Sequence, residues 1–374
     1  MKRNFWRTCL GRTTILSGIL LWGTGFIQQF ADEVKKRQSA AQTEAYHLNQ
    51  VGLAHIRQAE YSKALQAFQQ AIWVRPDYAA AYHNLSATFG ALGEPERQKE
   101  FAERALALDP NLAEAHNNLG TAYGKLGQFE QQRDAALHAL RLKPDYAEAY
   151  NNLGFALSQL GEVVAAIGCY ERAIVIRSSY AAAHHNLSTA LGNLGLWNQA
   201  LDAARQAVTH SPRWPDAVHN LSIAYARLGR WSEAAEAGKG AVRLKPDFAS
   251  ARYQLGVAYG NLGQYQEEMR EYQAALRLRP DLADAENNLG VAYMALGRLK
   301  KAIGAFRRAI RINPSLANAH YNLGLILLAA GNRVGALQQY AMLRDLQSSL
   351  APRLLQELQN AYTLRLSPQR SPAT

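Results

Sequence analysis

A repeat of 34 residues is the feature that most restricts how this chain can fold. Aligning its recurring Asn-Leu-Gly and Asn-Leu-Ser motifs gives nine copies between Ala45 and Leu350. With positions numbered 1 to 34 in each copy, position 8 is Gly or Ser in all nine, position 15 is Gly in eight, position 27 is Ala in eight and position 32 is Pro in seven. A unit of this size cannot bury its apolar face alone, so the copies must stack on one another.

The spacing of apolar residues predicts two helices in each repeat. Positions 4, 7, 11 and 14 form one helical stripe, and positions 17, 20, 21, 24, 27 and 28 form a second. Glycine at position 15 suits the left-handed conformation that ends a helix, and proline at position 32 cannot continue the second helix. Small residues at positions 8, 20 and 27 allow the helices to approach closely. The sequence therefore predicts an all-α solenoid.

This pattern resembles the tetratricopeptide repeat (TPR). The shared features are the 34-residue period, a small residue at 8, an aromatic residue at 11, Gly at 15, Ala at 20 and 27 and Pro at 32. The match extends over residues 45–350. The resemblance implies a right-handed superhelical solenoid of nine antiparallel helix pairs, whose first helices line a concave groove for peptides or proteins. Leu354 and Leu358 share one apolar face of residues 351–366, which predicts a capping helix. Residues 367–374 are expected to be a disordered tail.

Residues 1–30 predict an export signal or a membrane anchor. A basic segment, MKRNFWRTCLGR, precedes an apolar, uncharged stretch at 13–27, which is the order found in export signals. Cleavage after Gly25 and retention as an anchor both fit, and both place the repeats outside the cytoplasm, in a periplasm or another extracytoplasmic space. A buried N-terminal helix, which leaves the repeats in the cytoplasm, is the alternative. Residues 31–44 are expected to be a linker.

An amide recurs at position 6, which lies off the apolar stripe of the first helix. In the TPR family this position faces the groove, so stacking would align one amide per repeat. A primary amide both donates and accepts, and such a row could hold a peptide backbone whatever its side chains. The row is similar to the asparagine ladder of O-GlcNAc transferases, which holds substrate polypeptides in this way. The predicted peptide-binding residues are Asn84, Asn118, Asn152, Asn186, Asn220, Gln254, Asn288 and Asn322.

Two alternatives remain for these amides: a hydrogen bond to the adjacent repeat, or inheritance from a duplicated ancestor. Position 5 supplies a second, mostly polar row that we expect to line the groove: His83, Asn117, Asn151, His185, His219 and Asn287. Some TPR domains clamp a carboxylate with Lys at position 5 and Asn at position 9. Neither residue occurs at those positions here, so that mode is not expected.

No motif indicates catalysis, and no catalytic residue, metal site or cofactor is predicted. The sequence has no glycine-rich phosphate loop, cysteine pair or HExxH motif. The net charge is +11, of which +4 falls in residues 1–44, and no basic run elsewhere predicts nucleic-acid binding. We therefore expect a non-catalytic scaffold that binds peptides or partner proteins, with possible membrane attachment through 13–27. The alternative is a substrate-recruiting arm that serves a glycosyltransferase or another enzyme on a separate chain.

Overall fold

The computed structural model describes residues 6–366, and it describes side chains for residues 29–361. The chain divides into two compact units, Met1–Ser178 and Ser179–Thr374. Every regular element in the described part is an α-helix, and successive helices pack against each other in pairs. The predicted all-α class of stacked helix pairs is therefore confirmed.

Unit 1 stacks four pairs, in each of which we call the first helix A and the second helix B. The A helices contact one another from pair to pair, whereas no such contact joins the B helices of the described part of this unit. The stack therefore curves with its A helices on the inner side. The helices are α1 (Trp6–Arg57), α2 (Tyr61–Val74), α3 (Ala79–Leu92), α4 (Pro95–Leu108), α5 (Ala113–Lys125), α6 (Phe129–Leu142), α7 (Ala147–Gln159) and α8 (Val163–Ile176).

Unit 2 contains five further pairs and a closing helix. Its helices are α9 (Ala181–Asn193), α10 (Trp197–His210), α11 (Pro215–Arg227), α12 (Trp231–Leu244), α13 (Ala249–Asn261), α14 (Tyr265–Leu278), α15 (Ala283–Ala295), α16 (Leu299–Ile312), α17 (Ala317–Ala329), α18 (Arg333–Asp345) and α19 (Leu350–Leu366). Helix α19 packs on α17 and α18, with Leu354 and Leu358 buried in the contact. It covers the apolar end of the last pair.

The 34-residue register is visible in the helix boundaries. From the second repeat onward, helix A begins at position 1, and in all nine repeats helix B begins at position 17. The glycines at position 15 have positive φ, between 69° and 87°, as predicted for residues that end helix A. The first repeat has Ala59 at this position, and it adopts the same left-handed region with φ 57°.

The choice between Gly and Ser at position 8 follows from what helix B places opposite it. Where position 8 is Ser, its hydroxyl donates to the carbonyl of position 20, as in Ser86 to Gln98 (2.7 Å) and Ser222 to Ala234 (2.7 Å). Where it is Gly, an aromatic ring from position 24 often fills the space. The pairs are Gly52 with Phe68, Gly154 with Tyr170, Gly256 with Tyr272 and Gly290 with Phe306.

The N-terminal helix is longer than the repeat requires. Residues 31–44, expected to be a linker, are helical and continue without a break into the first repeat. No Gly or Pro interrupts the chain from 26 to 51, and Ala, Gln, Glu and Lys favour helix there. The apolar stretch 13–27 lies where no side chain is described, and the tail 367–374 lies outside the described residues. Among the helices that are described, none is both long and apolar enough to cross a bilayer.

Candidate functional site

The predicted amides of unit 1 lie half-buried on successive A helices, and each is hydrogen-bonded to the preceding repeat. We call Asn84, Asn118 and Asn152 the unit 1 row. Asn152 donates from Nδ2 to Asn117 Oδ1 at 2.9 Å and to Thr121 Oγ1 at 3.0 Å. The general contact thus joins position 6 of one repeat to position 5 of the repeat before it.

The other two members of the unit 1 row make the same type of contact. Asn118 Nδ2 lies 3.1 Å from His83 Nδ1. Asn84 Nδ2 donates to Asn49 Oδ1 at 2.8 Å. The hydrogen bond to the adjacent repeat, which the sequence offered as an alternative to ligand binding, is therefore present.

Backbone contacts fix which way these amides point. Asn118 Nδ2 lies 3.4 Å from the carbonyl oxygen of His83, and Asn152 Nδ2 lies 3.5 Å from that of Asn117. A carbonyl oxygen only accepts, so the amide nitrogen must face the preceding repeat. No hydrogen bond between described residues uses the Oδ1 atoms of Asn84, Asn118 or Asn152. Each amide in this row therefore keeps an acceptor.

In unit 2 the position-6 residues continue the pattern with more varied partners. Asn322 donates to Asn287 Oδ1 at 3.0 Å, the same amide-to-amide contact as in unit 1. Asn220 donates to Thr189 Oγ1 at 2.8 Å, and Asn288 donates to the hydroxyl of Tyr253 at 3.3 Å. The remaining members are half-buried at the same register: Asn186 and Gln254.

The position-5 asparagines lie deeper than the position-6 residues. Asn117, Asn151 and Asn287 are less than 10% exposed, whereas the position-6 residues from Asn84 onward are half-buried. Their side chains or backbones serve as partners for the position-6 amides in most of the contacts above. That they also line a ligand groove stays a prediction.

The three histidines of position 5 are half-buried and uncharged at neutral pH. His185 packs against Trp214 with ring centroids 4.5 Å apart, and His219 packs against Phe248 at 4.9 Å. Burial lowers the pKa of His83 and His185, and it lowers that of His219 to about 4 against the opposing effect of Asp216. Within the described part of the chain, no cluster of three or more ligating side chains could hold a metal ion.

Unit 2 contains a pocket that we did not predict from the sequence. A pocket of about 370 Å³ opens beside Asn288, and we call it the Glu268 pocket. Its lining residues are Val257, Gly260, Asn261, Tyr265, Glu268, Tyr272, Asn288 and Val291. The available signal was the pairing of Gly at position 12 with Gln or Glu at position 20, which occurs in repeats 2, 3 and 7.

Three family profiles match the chain, and together they span more than half of it. A TPR repeat profile matches residues 103–127, 223–263, 261–297 and 292–331. Two tetratricopeptide repeat profiles match residues 145–211 and 79–112. A search of curated proteins finds no match.

Solved structures that are similar to this chain include several repeat proteins. The Cut9–Hcn1 hetero-tetramer of APC/C is 14% identical with a TM-score of 0.56, over 84% of this chain and 76% of that chain. A tetratricopeptide repeat protein from Parabacteroides merdae ATCC 43184 is 16% identical with a TM-score of 0.50, over 66% of this chain and 98% of that chain. YrrB, a TPR protein with an unusual peptide-binding site, is 26% identical with a TM-score of 0.45, over 50% of this chain and 96% of that chain. The chain belongs to the tetratricopeptide repeat family, an architecture that typically serves as a non-catalytic scaffold for protein interactions.

Proposed function

We propose that the chain binds polypeptides in an extended conformation along the inner, A-helix side of a unit, and that the position-6 amides accept hydrogen bonds from the peptide backbone. The observation that supports this most directly is the orientation of the unit 1 row. With Nδ2 hydrogen-bonded to the preceding repeat, Asn84, Asn118 and Asn152 each have an Oδ1 acceptor left for a ligand. An acceptor held in place costs less conformational entropy on binding than a free side chain.

The distance between successive A helices is close to the repeat distance of a peptide ligand in the polyproline II conformation. Packed helices lie ~8–10 Å apart. A polyproline II strand has 3 residues per turn and rises ~3.1 Å per residue, so one of its faces recurs about every 9 Å. Every third N–H of such a ligand could therefore meet one Oδ1 of the row. Recognition of this kind depends little on the ligand's side chains.

The sequence led us to expect that each amide would both donate a hydrogen bond to the ligand and accept one from it. In the unit 1 row we now propose that the amides only accept. Asn152 uses its nitrogen for Asn117 and Thr121, so little donor capacity remains. The unit 1 row is then a set of acceptors, and it should prefer ligands whose backbone N–H groups are free. Strands already paired in a sheet would be poor ligands.

Backbone methylation of the ligand tests this proposal. Short capped peptides are selected against the full chain, and the tightest is resynthesised with N-methyl groups at every third residue in each of the three possible registers. In one register the affinity should fall about fivefold for each lost hydrogen bond, because one such bond contributes about 1 kcal/mol. Equal affinity of all N-methylated registers and the parent peptide, or failure of the chain to select any peptide, would overturn the proposal.

A further inference from the structure

Glu268 of α14 is a buried carboxyl group without a cationic partner in the described part of the chain. Its side chain is 6% exposed, and no Lys or Arg pairs with it. The other buried glutamate, Glu286, is held by both Nε and Nη2 of Arg308, at 2.7 and 2.9 Å. Burying an unpaired carboxylate costs free energy, and a positive group on a ligand would reduce that cost.

The fold does not need a charge at this position. The Glu268 carboxyl occupies the space left by Gly260, where an added Cβ would lie 2.6 Å from Oε1. Unit 1 contains the same arrangement twice with a neutral amide. Gln98 lies over Gly90, and Gln132 lies over Gly124. Gln at position 20 therefore fills the same space, although the Oε1 atoms of Gln98 and Gln132 are buried without a hydrogen-bond partner in the described part of the chain. The packing alone does not require the carboxyl group of Glu268.

The lining of the Glu268 pocket suits a long side chain with a polar end. Val257 and Val291 line it with apolar surface, and Tyr265 and Tyr272 add aromatic rings. Asn288, a position-6 residue, lines it too, so a ligand bound along the A helices of unit 2 would reach the pocket. Glu268 supplies the acidic group of this lining.

The charges around the Glu268 pocket favour a cation in spite of the net positive charge of the chain. Arg252 is the sole Lys or Arg on α13 and α15, and Glu271 and the carbonyl of Pro246 bind it at 3.0 and 2.9 Å. The third lining helix, α14, carries Arg270 and Arg277, which are exposed. Asp284 is exposed on α15, one helical turn before Asn288, and adds negative potential. Burial raises the pKa of Glu268 to about 7 against the opposing hydrogen bond with Tyr272, so an approaching cation would find a group ready to ionise near neutral pH.

We propose that the Glu268 pocket binds the ammonium or guanidinium group of a Lys or Arg side chain carried by the bound polypeptide. The alkyl stem lies against Val257 and Val291, and the cation meets the carboxylate of Glu268 and the ring of Tyr272. The inference rests on the proposed function, to which it adds a preference for basic residues at one place in the ligand.

Carbon NMR of the full chain tests the pocket without requiring a peptide. Glutamate is labelled at 13Cδ, and the Glu268 signal is identified by its loss in Glu268→Gln, a variant whose fold is supported by Gln98 and Gln132. The carboxyl is titrated alone, with Nα-acetyl-lysine N-methylamide, and with the norleucine analogue, which has the same stem and no charge. The lysine amide should lower the pKa of Glu268 by about one unit or more, and the norleucine amide should not.

The outcomes separate clearly. Equal effects of the two amides, or no effect of either, would overturn the basic side-chain pocket. Saturation by spermidine at a lower concentration than by the lysine amide would assign the pocket to a free polyamine and would overturn the polypeptide ligand. These probes need no backbone contact with the position-6 residues. Failure of the peptide methylation experiment would therefore remove the proposed function and leave this titration interpretable.

Discussion

Tyr170 of α8 lies so close to Gly154 of α7 that a Cβ on residue 154 would come within 2.7 Å of the ring. The same Cβ would lie 3.1 Å from the carbonyl oxygen of Ala166. Tyr170 is 2% exposed, so its ring is enclosed by other parts of the protein. The absence of a side chain at position 8 thus makes room for an aromatic ring of the same helix pair. This part of the packing depends on residues within a single repeat.

Gly154→Ala should lower the free energy of unfolding of unit 1 by about 1–3 kcal/mol, since the added methyl group must displace either the ring or the helix. The measurement is urea unfolding followed by circular dichroism. Gly168→Ala is the matched control, because Gly168 also lies in a helix but has open space around its added Cβ. It should raise stability by up to about 1 kcal/mol through better helix propensity. Equal destabilisation by both variants would contradict this packing.

The fold could be predicted from the sequence because residues within each repeat mark where its helices end. Gly93 and its equivalents mark where helix A stops, and the off-stripe register of Asn152 places it away from the hairpin core. The partner of Asn152 could not be predicted, since it depends on how one repeat is rotated against the next. The Glu268 pocket was missed for a related reason. Its residues come from three helices, and although the pairing of Gly260 with Glu268 was visible in the sequence, the contribution of Asn288 and Val291 from the next repeat was not.

Replacing Asn152 and Asn117 separately should distinguish binding from packing. Either change to Ala removes the 2.9 Å hydrogen bond between them and should cost about 0.5–1.5 kcal/mol of stability. Only Asn152→Ala also removes the Oδ1 acceptor. Peptide affinity, measured by fluorescence polarisation, should therefore fall about fivefold in Asn152→Ala and less in Asn117→Ala, where Thr121 still holds the amide nitrogen of Asn152. If both variants lose affinity in proportion to their loss of stability, the amide acts through packing alone.

The N-terminal stretch predicts that the chain is exported. N-terminal sequencing of the native protein should give either Phe26, for a signal cleaved after Gly25, or the uncleaved terminus in the membrane fraction, for an anchor. The physical reason is the basic segment before 13–27, which stays on the cytoplasmic side while the following chain crosses. Recovery of the uncleaved chain in the cytosol would contradict both forms of export.

Glu268→Gln should stabilise unit 2 at alkaline pH. The pKa of Glu268 in the folded chain is about 7, above its ordinary value of 4.5, so the folded state keeps a proton that the unfolded state has lost between these values. The stability contributed by the neutral carboxyl is therefore complete below 4.5 and is lost as the pH rises through 7. The variant should match the native chain near pH 4 and exceed it by on the order of 2–3 kcal/mol near pH 8. Parallel pH profiles of the two proteins in urea unfolding would contradict the raised pKa.

His219 should lower the stability of unit 2 as the pH falls, whereas Glu268 should lower it as the pH rises. Its pKa in the folded chain is about 4, below its ordinary value of 6.5, because burial disfavours the charged ring. The unfolded chain takes up a proton first, so stability is complete above 6.5 and is lost as the pH falls towards 4. His219→Asn introduces the residue that repeats 1, 3, 4 and 8 carry at position 5, and it should remove about 2 kcal/mol of this loss.

The measurement for His219 is the difference in urea midpoint between pH 7 and pH 5, native against variant. Asn cannot take up a proton, so the variant should show the smaller difference, whatever its stability at pH 7. His47→Asn is the control, since His47 is exposed on α1 in the other unit and its replacement should leave the difference as in the native chain. An undiminished acid loss in His219→Asn would mean that another group in unit 2 takes up the proton, and that the ring packed against Phe248 is not the source of the acid sensitivity.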